Sequence, residues 1–214
     1  MMRYLVGHSV AVLKSLSEVH RVLIDMATVR QMISRYPWHG TPVTKLKHVE
    51  LTWFLFQNLC YKFKEKLKLY HKYQKILATV HSQEPGGWLK AELKLLDKAM
   101  GEAIRGRGNS VHSWDEQVPT IEKFSFIHMA VEMRASGADL DLPEGFFDIS
   151  GHYSDAKWML KSDADRMIRD AFHVFERVVA MHGPTPVKLL QSTNEVISLV
   201  RSGAALKANK AFRA

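Results

Sequence analysis

The sequence predicts an all-α fold, an up-and-down helical bundle of five to six helices. Three observations lead there. Apolar residues recur at three- and four-residue steps over long stretches, no stretch alternates with a period of two, and glycine- or proline-rich breaks separate the periodic segments. The 214 residues, 46% hydrophobic and 24% charged, are enough for one core, so residues 1–214 are expected to form a single helical domain.

The first helix is expected over Ser9 to Arg35, where Val12, Leu16, Val19, Leu23, Met26 and Val29 or Arg30 form one stripe. Tyr36-Pro37-Trp38-His39-Gly40-Thr41-Pro42 breaks it. A second helix then runs from near Thr44 to about His81, its stripe Leu51, Leu55, Leu59, Phe63, Leu67 and Tyr70. Lys62, Lys64, Lys66, Lys68, Lys72 and Lys75 occupy the opposite face. After the turn at Pro85-Gly86-Gly87, Leu89, Leu93, Leu96 and Met100 predict a third helix from Trp88 to about Arg105, which Gly106 and Gly108 should bend or fray.

A shorter fourth helix is expected between Thr120 and Arg134, carried by Ile121, Phe124, Ile127 or His128, and Val131. Residues 136–151 are acidic and rich in turn formers, and are expected to form a surface loop. Residues 152–201 then supply additional helices. One spans Ser154 to Met181, with Trp158, Met159, Met167, Ile168, Phe172, Phe175 and Val179. Another spans Val187 to Arg201, beyond the Gly183-Pro184-Thr185-Pro186 break. The basic tail, 202–214, is expected to fray.

Composition narrows the function. A single cysteine, Cys60, leaves no internal disulfide and no multi-cysteine zinc site, and its apolar surroundings predict a buried, inert thiol. There is no phosphate-binding glycine loop with Lys-Ser/Thr, no Gly-x-Ser-x-Gly elbow and no dinucleotide fingerprint. Asp170 and His173 are the only acid–histidine pair at the spacing a di-iron bundle requires, so no metal and no cofactor are expected. No signal peptide is visible, nor any run near the roughly 18 apolar residues that cross a bilayer, so the chain reads as soluble and cytoplasmic with no membrane partner.

The net charge of +8 favours a polyanionic partner, and it is segregated along the chain. Eleven basic and five acidic residues lie between Tyr61 and Arg107, whereas eight acidic and two basic lie between Asp115 and Asp148. Either a nucleic-acid face or ordinary solvated helix faces would produce this pattern.

Arg105-Gly106-Arg107-Gly108-Asn109-Ser110-Val111-His112 stands at the end of the third helix. The segment resembles the signature of the HEPN family, an Arg followed after four to six residues by a His, between later helices of a small bundle. Arg107 precedes His112 at four intervening residues and Arg105 at six, and Val111 stands before the His. The same spacing occurs at Arg3–His8, Arg166–His173 and Arg177–His182; the basic helix before the motif, the glycine-softened break at which it sits and the polar Asn109 within it single out this one. The likeness covers residues 9–135. It departs from the family at Gly108, where a polar residue (commonly Asn) is usual, and at Trp114, where some toxin members carry a Tyr that a partner modifies.

The resemblance implies a metal-independent endoribonuclease, a homodimer whose two motifs share a cleft, and a place in toxin–antitoxin or antiviral defence with a possible antitoxin partner. Arg107, His112 and Asn109 would be catalytic. Arg105, Lys64 and Lys68 would hold RNA phosphates, and Glu50 (or Glu18) would support the motif from an earlier helix. The chemistry is coherent, since RNA carries its own 2′-hydroxyl nucleophile, histidine titrates near neutrality and arginine clamps phosphate. Two alternatives stand beside it. One is a non-catalytic helical module that binds RNA or protein. In the other, the bundle is unrelated, Arg107 satisfies the third helix's last carbonyls, and His112 opens the next helix.

Overall fold

A computed structural model describes residues 2–36, 40–80, 88–112 and 119–181 of the chain. Five α-helices account for most of them: α1 (Met2–Ser34), α2 (Lys45–Val80), α3 (Trp88–His112), α4 (Pro119–Ala135) and α5 (Ile149–Met181). A short 3-10 turn, Glu144–Phe147, precedes α5, and the described residues contain no strand. The protein is an all-α helical bundle. The expected helix over 187–201 and the tail 202–214 lie outside the described residues.

The described residues group into two compact units, and α1, α2, α3 and α5 each give one segment to both. Unit 1 takes α1 up to Thr28, α2 from Leu59, α3 up to Met100 and α5 from Met167. Its core holds the α1 stripe Val12, Leu16, Val19, Leu23 and Met26, met by Phe63, Leu67 and Tyr70, by Leu96 and Met100, and by Phe175 and Val178. Unit 2 comprises Val29–Asn58 and Gly101–Arg166. Its core is built from Ile33, Val49, Trp53 and Phe56 together with Phe124, Ile127, Tyr153 and Leu160.

Three local expectations are corrected. On α2 the buried line is Val49, Trp53, Phe56, Cys60, Phe63, Leu67 and Tyr70, while Leu51 and Leu55 are exposed. Two apolar runs overlap in this helix, and the run bearing the larger aromatics is buried, with Trp53 stacked on Phe56 at 5.4 Å. On α5, Tyr153, Ala156 and Leu160 are buried, and Trp158 is left 69% exposed beside Met159. The helix also begins at Ile149 rather than Ser154. Asp148 Oδ1 accepts the backbone N–H groups of Ser150 (3.1 Å) and Gly151 (3.0 Å), a cap that satisfies two otherwise orphaned donors.

The third correction bears on the motif, because α3 does not end at Arg105 but continues as helix through Gly106 and Gly108 to His112. Helical glycine costs about 1 kcal/mol against alanine. At Gly106 the missing side chain has a use: a Cβ there would lie 2.6 Å from Nε2 of the buried Gln57 on α2. Gly106→Ala forces the far end of the Gln57 side chain to shift, so it is expected to gain less than the roughly 1 kcal/mol that helix propensity alone would supply. In a Gln57→Ala background the same change should raise the urea midpoint. A midpoint raised equally in both backgrounds would show that Gln57 does not constrain the position.

Candidate functional site

The motif occupies the last two turns of α3, in unit 2. Successive helical residues advance by about 100°, so the Cα positions of Arg105, Asn109 and His112 fall along one line of α3, at i, i+4 and i+7. Arg107 lies about 140° around the helix from His112. Arg105 is exposed. The side chains of Arg107, Asn109 and His112 lie outside the described set.

Glu50 belongs to the same unit, on the second turn of α2, where it accepts an ion pair from Lys47 at 3.3 Å. The two lysines expected to hold phosphate belong to unit 1, and each is matched by a carboxylate. Lys64 Nζ lies 2.5 Å from Asp97 on α3, and Lys68 Nζ lies 2.7 Å from Glu65 one turn back. Glu18 also belongs to unit 1. Lys66 donates to its carboxylate at 2.6 Å, and this bond, reinforced by the charges of Lys66, Lys14 and Lys62, holds its pKa below the ordinary carboxylate value.

The units differ sharply in charge. The described residues of unit 1 contain fourteen Lys and Arg against seven Asp and Glu, a net +7, while those of unit 2 contain eleven of each. The cationic excess therefore belongs to unit 1 and the motif to a unit without net charge. On α5, Arg166, His173 and Arg177 each lie near a carboxylate. Arg166 meets Asp163 at 3.1 Å, His173 lies 3.9 Å from Glu176, and Arg177 lies 2.9 Å from Glu92.

His48 and Glu92 are among the buried polar residues. His48 is fully buried in unit 2, with Nε2 3.0 Å from the Met32 carbonyl and Nδ1 2.7 Å from the Tyr153 hydroxyl. A carbonyl only accepts, so Nε2 carries the proton and the tyrosine donates to Nδ1. Burial, and after it the charge of Lys157, draws the histidine's pKa below its ordinary value, and burial pushes Tyr153 up to about 12. Lys157 stands 4.4 Å from the Tyr153 ring centre. The group ties the last turn of α1 to α2 and α5. No local pattern announces it, because His48 and Tyr153 are 105 residues apart.

Glu92 in unit 1 is the other. Its side chain is 1% exposed. The Arg177 guanidinium is at ion-pair distance from Oε1 but out of hydrogen-bond alignment, and Oε2 has no hydrogen-bond partner among the described residues. Here a signal did exist: Glu92 occupies the same stripe as Leu96, Met100 and Ala103, all buried, so it is a carboxylate in an apolar register.

Cys60 is buried and its thiol is pushed up to about 12, which keeps it from acting as a nucleophile. Among the described residues, no group of three or more His, Cys, Asp or Glu is placed to hold a metal ion. Nor is any helix among them long and apolar enough to cross a membrane. A cavity of about 200 Å³ opens in unit 2 between Lys123, Phe124 and Ile127 of α4 and His152, Asp155 and Met159 of α5. It is smaller than the roughly 300–1,000 Å³ of typical small-molecule sites.

Compared with protein-family models, curated proteins and solved structures, the chain matches none.

Proposed function

We propose that this protein is a HEPN-like endoribonuclease that cleaves RNA without a metal, at the line formed by Arg105, Asn109 and His112 on the final turns of α3. The observation that supports the reading is the unbroken helix through Gly106 and Gly108, which sets the Cα positions of Arg105, Asn109 and His112 along one line. In this reading His112 removes the proton from a ribose 2′-hydroxyl. That oxygen attacks the adjacent phosphorus, the bond to the 5′-oxygen breaks, and the products are a 2′,3′-cyclic phosphate and a 5′-hydroxyl. Arg105 holds the phosphate and stabilises its developing charge, and Asn109 orients it. The leaving 5′-oxygen takes a proton from a second acid, supplied by His112 of a second copy if the chain acts as a homodimer.

In this reading Arg105 takes over the catalytic role that the resemblance implies for Arg107. Arg105, at six intervening residues, works beside His112, while Arg107 lies on another side of the helix.

The test is cleavage of single-stranded RNA in EDTA by wild type, His112→Ala, Arg105→Ala and Arg107→Ala, with circular dichroism to confirm that each is folded. We expect wild-type cleavage to persist in EDTA and leave cyclic-phosphate ends. It should fall by about 100-fold or more in His112→Ala and Arg105→Ala, and by much less in Arg107→Ala. A folded wild type that leaves RNA intact, or equal cleavage by all four proteins, would sink the nuclease reading. Loss in Arg107→Ala with activity kept in Arg105→Ala would overturn the helix-face assignment alone.

A further inference from the structure

We propose that the α1/α2 face of unit 1, formed by Lys14, Lys62 and Lys66 around Glu18, binds the phosphate backbone of single-stranded RNA. The choice of RNA rests on the nuclease reading above; the surface itself rests on separate observations. Unit 1 carries a net +7 among its described residues, against zero for unit 2. Within unit 1 the lysines are not equivalent. Lys64 and Lys68 are neutralised by Asp97 and Glu65. At Glu18, three lysines surround one carboxylate, and Lys66 alone is bonded to it, at 2.6 Å. Lys14 and Lys62 are exposed and have no carboxylate within ion-pair distance among the described residues.

The geometry suits a polyanion. Lys62 and Lys66 stand one turn apart on α2, about 6 Å along its axis, which spans about two phosphates of a stacked strand. Lys14 approaches the same carboxylate from α1, one turn before Glu18. Glu18 holds Lys66 in place, so part of the ordering of the surface precedes binding, while Lys14 and Lys62 remain to meet incoming phosphates. A membrane surface fits less well. A helix that lies in a bilayer interface presents a continuous apolar face, whereas the large apolar side chains exposed on the described part of unit 1 are Leu13 on α1 and Leu95 on α3.

The experiment measures binding of a short, fluorescently labelled, mixed-sequence single-stranded RNA by anisotropy across a salt series. All proteins are full length and carry His112→Ala so that the probe stays intact. Lys14→Gln/Lys62→Gln removes two charges from the proposed surface. Lys123→Gln/Lys161→Gln removes two from unit 2 and controls for net charge.

We expect the first pair to weaken binding on the order of tenfold at about 0.1 M salt, and to reduce the slope of log K against log salt by about 1.4, for two lost contacts to a single strand. The control pair should leave both nearly unchanged. Equal losses in the two double variants, no loss in the first, or no RNA binding by the parent would each overturn the proposal. So would unchanged RNA affinity together with lost attachment to phosphatidylserine-containing vesicles. The two proposals fail separately. Cleavage by the wild type with unaltered binding by Lys14→Gln/Lys62→Gln removes this surface and leaves the nuclease. Selective loss of binding in a protein whose wild type never cuts RNA leaves the surface and removes the nuclease.

Discussion

Arg177→Ala is expected to lower the unfolding free energy by about 3 kcal/mol, whereas Glu92→Met, which removes the other partner of the same pair, should be close to neutral or stabilising. The asymmetry follows from where each charge sits. The Glu92 carboxylate is sealed in unit 1 in register with Leu96 and Met100, and Arg177 is the one cation within ion-pair distance among the described residues. Deleting the arginine strands a charge in an apolar setting. Deleting the carboxylate leaves a guanidinium that is nearly half exposed and returns to water. The expected loss is placed at the low end of the range for buried pairs because Arg177 is partly hydrated already. Urea midpoints at neutral pH read both variants. Equal losses would show that Glu92 is satisfied by something other than Arg177.

The second large effect is expected at His48. Replacing it with phenylalanine keeps the ring but leaves the Tyr153 hydroxyl buried without its partner and takes one donor from the Met32 carbonyl, which keeps the Arg35 N–H at 3.1 Å. A stranded buried polar group costs about 1–3 kcal/mol, and the variant should lose that much.

The wild type should also weaken in acid. Burial lowers the folded-state pKa of both His48 and His20 from the ordinary 6.5. Between the lowered value and 6.5 the unfolded chain binds more protons than the folded one, so stability rises with pH in that window. Their contribution is whole above pH 6.5 and is lost as the pH falls. Urea midpoints at about pH 7.5 and about pH 5.5 should differ less for His48→Phe than for the wild type. An undiminished difference would assign the acid response to other groups.

The candidate site divides along the same line as these predictions. The Arg-Gly-Arg-Gly-Asn-Ser-Val-His segment is readable as a string of residue types. Whether Arg105 or Arg107 shares a helix line with His112 depends on whether the backbone turns or continues at Gly106; it continues, with Gln57 of another helix occupying the space a side chain there would take. Propensity alone favours a break at two glycines, and packing overrides it. Lys64 and Lys68 read as free cations along α2 for a similar reason, since Asp97, which neutralises the first, is 33 residues away. Glu65, which neutralises the second, lies three residues before it on the same helix, a pair legible in the sequence.

The sequence by itself determined the helical class, the α1 stripe and the burial of Cys60, because these follow from periodicity and local polarity, both short-range properties. Only the tertiary structure decided which of two apolar runs on α2 turns inward, where α3 ends, and that a histidine and a glutamate belong in the interior. It also decided that the excess positive charge gathers in one unit while the motif lies in the other. Each of those outcomes depends on what a side chain meets from a distant part of the chain. Burial, pairing and charge density are properties of neighbours in space, and a linear pattern does not contain them.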